Sequence, residues 1–464
     1  MPPGPVIQTN TLGLLVYLTM LVSAFWLTYR YGIGRMFAYV YLPGLLFLFN
    51  IPAKKIIPGI PFFSTATAIA YGAILALIFK PDELKKLRWN MIDTAMVLLL
   101  VPFFLSVLNT DGPYDAYRDT ADFAFVTLVP YLFARIALQD ADARPRMLKV
   151  LCYSAIVIVV LAAYEARLSP NAVPRALIKI GLTRIISQGV LFRFGLARAM
   201  ATMAQPIDLG NVGVLLGGMI LLLTPASGRR WSDPLPLIGV IAAGGMVFGS
   251  ISLTAWGAMV IALVLYFVFS RPRIGRWLVV PTLLAITLVL VFYTSHALNE
   301  TLGDKPEDPV GSSHWIRLKI IQDSWAKCME AGAFGFGSKL DTSNIGVGSV
   351  DNAYLLFIMQ QGWLTLGAWV LLAYVLAFKG AAALKRAATE TERLPVAAAI
   401  AGIIAMFVAM YTVFYGFVYG TALCIVFGFL SAMTQMLRSR HAVPAVSPYM
   451  PVMPLNAPPV GGYR

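Results

Sequence analysis

Six cations, Arg167, Arg175, Lys179, Arg184, Arg193 and Arg198, fall between two long apolar runs, against only Glu165 and Asp208; six minus two leaves a surplus of four. Guanidinium groups stay charged at any working pH, and their planar forks match phosphate oxygens. A cationic segment beside apolar spans is suited to holding an anion at a membrane surface. Further along, Arg317 follows His314, and Asp351 precedes Asn352 and Tyr354. Cations can meet the charge that grows on an anionic leaving group. A carboxylate or imidazole can take the proton of an attacking hydroxyl. Arg184, Arg193, Arg198 and Arg317 are cations of that kind, and Asp351 and His314, far apart along the loop, are groups of the second kind.

The local patterns leave alternatives open. Residues 312–330 repeat at helical spacing, with Trp315, Leu318, Trp325 and Met329 on one face and Lys319, Asp323, Lys327 and Glu330 on the other. Arg317 sits above Ile321, Ser324 and Cys328. It either meets a ligand, pairs with an acid of its own loop, or lays its stem along the apolar face. Phe334-Gly335-Phe336-Gly337-Ser338 reads as a turn, although glycines also let backbone amides approach an anion. Asp351 and Asn352 stand where they could cap the helix that follows. Asp208 and Asn211 share a face of their span, and Arg198 is a partner for Asp208. Arg175 and Lys179 are one turn apart on an interfacial helix. Asp111, Asp115, Asp119 and Asp122 fit one helix face and either bind a divalent ion or are solvated.

The elements that must position these groups are membrane helices. The chain has 464 residues, 59% hydrophobic and 12% charged, with net charge +14. Only a bilayer accommodates so much apolar side chain in a chain of this length. Spans are expected near 11–29, 36–50, 62–79, 91–108, 122–138, 150–164, 206–224, 235–250, 254–270, 277–294, 353–378, 396–412 and 418–436. The fold class is therefore an all-α integral membrane protein of about 12–13 transmembrane helices, one polytopic domain over 1–440 with a Pro-rich tail at 441–464. Loop cations place the segments at 80–88, 144–149, 229–230, 271–276 and 379–393 inside, so 109–121, 165–205 and the long loop 295–352 lie outside. Lys54 and Lys55 disagree with that orientation. The charge surplus points to anionic lipid and not to nucleic acid. Cys152 and Cys424 fall in apolar spans and Cys328 in a loop, so neither a disulfide nor a cysteine metal site is expected. No cleavable signal peptide is expected.

The order of parts resembles the O-antigen ligase and O-antigen polymerase family of bacterial envelope glycosyltransferases. The resemblance is carried by Arg198 to Pro206 opening a span, then a long loop with Arg317, the Gly335-x-Gly337 turn, Asn352-Ala353-Tyr354-Leu355 at the start of the next span, and Gly362. It covers roughly 190–375. It implies transfer of a glycan from a polyprenyl-diphosphate carrier to a sugar acceptor at the periplasmic face of the inner membrane, polysaccharide assembly partners, and arginines on the diphosphate, with Arg198 and Arg317 the first candidates and Arg193 and Arg184 behind them. The acceptor is another carrier-linked repeat unit for a polymerase, or lipid A core for a ligase. Asp351 stands where many ligases carry a histidine, which makes it the candidate base, with His314 in reserve. Ser252-Leu253-Thr254-Ala255-Trp256 stands where an arginine is often found. Both departures favour polymerase over ligase.

The expected reaction inverts the anomeric centre and needs no metal or other cofactor, with Asp208, Asn352 and Tyr354 in support. A transporter or flippase for lipid-linked sugars is the alternative of another class; such proteins usually place charges midway through several spans.

Overall fold

The computed structural model describes residues 11–48, 65–179, 192–229, 232–304, 306, 309–337, 340, 350–413 and 417–442. Arg184, Lys54, Lys55, Ser338 and the tail from 443 onward lie outside the described residues. The chain is an all-α multi-pass membrane protein, and 83% of the described residues are helical. Among the described residues, nine helices are long and apolar enough to cross a bilayer and four more are apolar but shorter, thirteen in all.

In chain order the helices are α1 (Thr11–Tyr31), α2 (Ile33–Leu48), α3 (Thr65–Phe79), α4 (Met91–Asp111), α5 (Pro113–Val126), α6 (Leu128–Gln139), α7 (Ala143–Arg167), α8 (Ala172–Lys179), α9 (Pro206–Ala226), α10 (Pro234–Gly249), α11 (Leu253–Phe269), α12 (Gly275–Asn299), α13 (Pro309–Glu330), α14 (Ala353–Arg386), α15 (Glu390–Met410) and α16 (Phe417–Ala442). A two-residue hairpin, β1 (Phe192–Arg193) and β2 (Leu196–Ala197), pairs Phe192 with Ala197. Its turn residues Phe194 and Gly195 both have positive φ, the geometry a tight hairpin needs.

The expected spans correspond to these helices, with three departures. Helix α2 contains two π-helical stretches, Phe37–Tyr41 and Gly44–Leu48. The segment 109–121, expected as a loop, is largely helical: α5 starts at Pro113 and runs to a break at Thr127 before α6. Helix α14 is broken at Gly362, whose φ of +81° takes it out of the helical region.

The break in α14 positions the long loop. A break inside a membrane exposes backbone groups that must find partners. Here the turn after α13 supplies them: Trp363 N donates to Gly332 O at 3.1 Å, Phe336 N to Met359 O at 2.7 Å and Gly337 N to Gln360 O at 2.9 Å. A Cβ at Gly335, Gly337 or Gly362 would collide with facing atoms. Gly335 and Gly362 therefore serve close backbone packing between the loop and α14, while Gly337 lies against Thr110 of α4. Ser106 Oγ of α4 donates to the carbonyls of Phe334 and Gln360. The end of α13 is thus fastened to α14, with the Cys328 carbonyl accepting from Trp363 Nε1 at 3.1 Å.

The core lies between α9, α15 and α16, with 78% of α9's apolar window and 83% of those of α15 and α16 buried, whereas α12 is only 11% buried. At the end of the bundle away from the hairpin, a buried network ties α4, α6 and α16 together. Arg135 pairs with Asp93 and donates to Gln435 Oε1 at 2.8 Å, and Tyr131 Oη donates to Asp93 at 2.6 Å. Both ions are almost fully buried. Such a pair needs these extra hydrogen bonds to offset desolvation.

Candidate functional site

Consecutive spans alternate direction, so the hairpin segment, the α10–α11 turn, α13 and the α15–α16 connection meet at one end of the bundle. Helix α13 lies over that end. Its buried stripe is Leu318, Ile321, Ser324 and Cys328, while Met329 is 61% exposed. The expected apolar face is therefore rotated: the stripe beneath Arg317 is the buried one, and Met329 is not part of it. Lys319 and Asp323 pair with each other at 2.9 Å on the opposite side, as their spacing implies.

Arg317 Nη2 donates to Thr254 Oγ1 at 2.8 Å, and Thr412 Oγ1 donates to the same oxygen at 3.1 Å. Arg198 Nε donates to Ser250 O at 3.2 Å, and Arg193 Nη1 to Ile251 O at 3.4 Å. Three guanidinium groups thus converge on the five-residue junction Ser250–Thr254 between α10 and α11. Among the described residues none of the three forms an ion pair with a carboxylate. Burial first, and Arg193 second, push Arg198 down to about 10. Burial also pushes Arg317 down; Tyr293 and Asp351 pull it back up, while Arg193 adds to the burial effect. Crowded, partly buried cations of this kind favour an anion among them.

A cavity of about 340 Å³ opens beside Arg317, lined also by Tyr293, His314, Asp351, Asn352 and Tyr411. Sequence separation set His314 apart from Asp351. The structure corrects this: α13 folds back over the start of α14, and His314, one turn before Arg317, faces the same cavity as Asp351. Tyr293 Oη lies 3.2 Å from His314 Nδ1. Arg198 and Arg193 do not line this cavity; they bond the carbonyls of the α10–α11 junction, with Arg193 in electrostatic reach of both Arg198 and Arg317.

Other candidates have structural roles. Asn352 caps α14, its side chain accepting from Tyr354 N at 3.1 Å and Leu355 N at 3.2 Å. Tyr354 Oη donates to Phe407 O at 2.6 Å and ties α14 to α15. No ion pair joins Asp208 to Arg198 among the described residues. Asp208 is buried near the start of α9, and neither polar side-chain atom of buried Asn211 has a hydrogen-bond partner. Asp115 and Asp119 pair with Arg118 at 2.7 and 2.6 Å, so these two acids are not simply solvated. No group of three His, Cys, Asp or Glu side chains with metal-holding geometry occurs among the described residues. None of the three cysteines forms a disulfide, and all are buried.

Sequence reasoning missed Glu165. It is fully buried, its Oε1 accepting from Val173 N at 3.0 Å and its Oε2 from Met200 N at 2.9 Å and Ala201 N at 2.6 Å. One carboxylate thereby pins both ends of the arginine-bearing segment to α7. It was counted only as a charge against the arginines; its three backbone donors are tertiary contacts.

A second cavity, about 300 Å³ and almost wholly apolar, runs from the first along α12 and α14. Leu290, Asn352 and Tyr411 line both. Trp363, Trp369 and Phe407 wall its interior. The arrangement can take an amphiphile, with a charged head beside Arg317 and an apolar chain between helices. No protein-family model matches the chain, and no curated protein matches it.

Proposed function

We propose that the protein is a glycosyltransferase of the bacterial inner membrane, related to the O-antigen polymerases and ligases. It takes a glycan from a polyprenyl-diphosphate carrier at the periplasmic face and passes it to a sugar hydroxyl, as a repeat-unit polymerase. One observation carries this reading: a cation-lined polar cavity and an apolar intramembrane cavity share Leu290, Asn352 and Tyr411 as a common wall. A lipid diphosphate has that division of polarity.

The chemistry follows from the groups present. An acceptor hydroxyl attacks the anomeric carbon from the side opposite the diphosphate. The new C–O bond forms as the bond to the phosphate oxygen breaks, and the centre inverts. Asp351 takes the hydroxyl proton and returns it to solvent. The departing diphosphate gains negative charge, and fixed guanidinium groups stabilise that charge without reorganising. Arg317 contacts it from the cavity wall; Arg198 and Arg193 add to the field from the α10–α11 junction. The base and the nearest cation share one cavity, and Asp351 attracts Arg317.

The experiment is transfer by the purified protein, using donor extracted from a deletion strain that accumulates it. Arg317→Ala and Arg198→Ala should each lose activity by about 100-fold or more while still inserting. Near-normal turnover in both variants overturns the diphosphate role. His314 beside Asp351 favours a second reading, attachment of finished chains to lipid A core, because an imidazole is then available at the acceptor. A gel of surface polysaccharide from the deletion strain separates the two: single repeat units mean polymerase, and long free chains with bare core mean ligase.

A further inference from the structure

Helix α12 brings Tyr293 against His314 of α13, at the rim of the cavity that holds Arg317 and Asp351. The phenol oxygen and Nδ1 are 3.2 Å apart, and the rings meet edge to face with centroids 6.2 Å apart. Tyr411 also packs against Tyr293, with ring centroids 5.8 Å apart, and is itself fixed by a 2.6 Å hydrogen bond to Thr294. Tyr293 is therefore clamped, and so is the ring edge it presents to His314.

Which atom carries the shared proton follows from acidity. A phenol is a stronger acid than a neutral imidazole N–H, and an imidazole nitrogen is a stronger base than a phenol oxygen. The hydroxyl of Tyr293 therefore donates to Nδ1. A neutral imidazole has one N–H, so the proton sits on Nε2. No described group hydrogen-bonds Nε2, and the ring lines the cavity. An Nε2–H is a donor and cannot accept a proton.

We infer that Tyr293 holds His314 as an Nε2–H donor to the diphosphate, so that His314 is an anion ligand beside Arg317 and Asp351 alone is left to act as base. This rests on the diphosphate reading above. In the transfer step the acceptor proton goes to Asp351. The electron pair of the broken C–O bond leaves on the diphosphate, and the His314 N–H meets part of that charge without giving up its proton. Tyr293 is a positioning residue, acting through the imidazole.

The chain has three histidines, so protein labelled with nitrogen-15 histidine gives a resolvable imidazole spectrum, with His314→Gln assigning the signal. The expected result is the Nε2–H tautomer for His314, giving way to mixed tautomers in Tyr293→Phe. Affinity is then measured with undecaprenyl diphosphate as the probe. His314→Ala should bind about tenfold more weakly. His314→Gln, whose amide N–H falls near the Nε2 position, should recover most of that loss, and Tyr293→Phe should fall between. An Nδ1–H tautomer in the parent protein, or His314→Gln binding as poorly as His314→Ala, overturns the inference. Arg317→Ala is the control on the underlying reading. If it binds the probe like the parent, the diphosphate role fails whatever the tautomer; if it binds weakly while His314→Ala does not, only the present inference fails.

Discussion

Thr254→Val tests whether the α10–α11 junction sets the catalytic geometry of Arg317. Valine replaces the hydroxyl with a methyl of nearly the same shape, and the site is buried, with 8% exposure. The change removes the acceptor of the 2.8 Å bond from Arg317 and of the 3.1 Å bond from Thr412. Thr412 keeps its bond to Ala409 O at 3.1 Å. Arg317 keeps its charge but loses the bond that fixes its fork. A hydrogen bond to a charged group contributes about 1.5–3 kcal/mol. If that energy is spent in placing the guanidinium at the leaving group, its loss lowers kcat by about 10- to 100-fold. KM should change less, because the cation remains near the diphosphate. Thr254→Ser restores the oxygen and should stay within about threefold of the parent. The assay is turnover with the extracted donor, alongside thermal unfolding in detergent to show that the variant is folded. A kcat for Thr254→Val within twofold of the parent, in a background where Arg317→Ala is inactive, refutes the positioning argument.

Arg317→Lys retains a charge but cannot form a bidentate clamp, and should lose most turnover; full activity would mean that only a point charge is needed. Arg198→Lys should become pH-sensitive. Burial and Arg193 lower the arginine to about 10, and they act in the same direction on a lysine that starts near 10.4. The variant therefore loses its proton, and its donor affinity, at a lower pH than the parent, and coincident pH profiles would contradict this. Glu165→Gln replaces a two-oxygen acceptor with one oxygen and one NH₂ that faces backbone N–H groups. It should cost at least one charge-assisted bond, about 1.5–3 kcal/mol, and lower Tm, while an unchanged Tm would remove Glu165 from the role given it. Turnover should survive a metal chelator, since arginines are assigned the leaving-group charge. Loss restored by a divalent ion would shift that role to a metal.

Much of the fold was legible because the bilayer demands long apolar helices, and nearly every expected span has its helix. Breaks were not legible. Gly362 sits inside an apolar helical pattern, and only the docked turn at Gly332–Gly337 makes its left-handed backbone necessary. Pro130 marks the interruption at Thr127, because it has no N–H for Val126 O, which accepts from Thr421 Oγ1 at 2.9 Å instead; helices run on through Pro102, Pro225 and Pro281, so a proline alone did not distinguish a break. Charge, spacing and the family resemblance single out the candidate residues; helical spacing puts Arg317 on a buried stripe of α13 but cannot bring His314 to Asp351. That neighbourhood depends on α13 folding back, which the Gly362 break fixes. The convergence of Arg193, Arg198 and Arg317 on Ser250–Thr254 was equally hidden, since its acceptors are two carbonyls and a threonine hydroxyl. The Asp93–Arg135 network links residues more than 40 positions apart, and Gln435 is 300 positions from Arg135.

A structure of the full chain with undecaprenyl diphosphate bound bears most directly on the central claim. The expected result places the diphosphate beside Arg317, with Arg198 in contact or bridged to it, and the isoprenoid chain between α12 and α14 past Trp369. A diphosphate seated elsewhere, with the cavity at Arg317 closed by protein side chains, would contradict it.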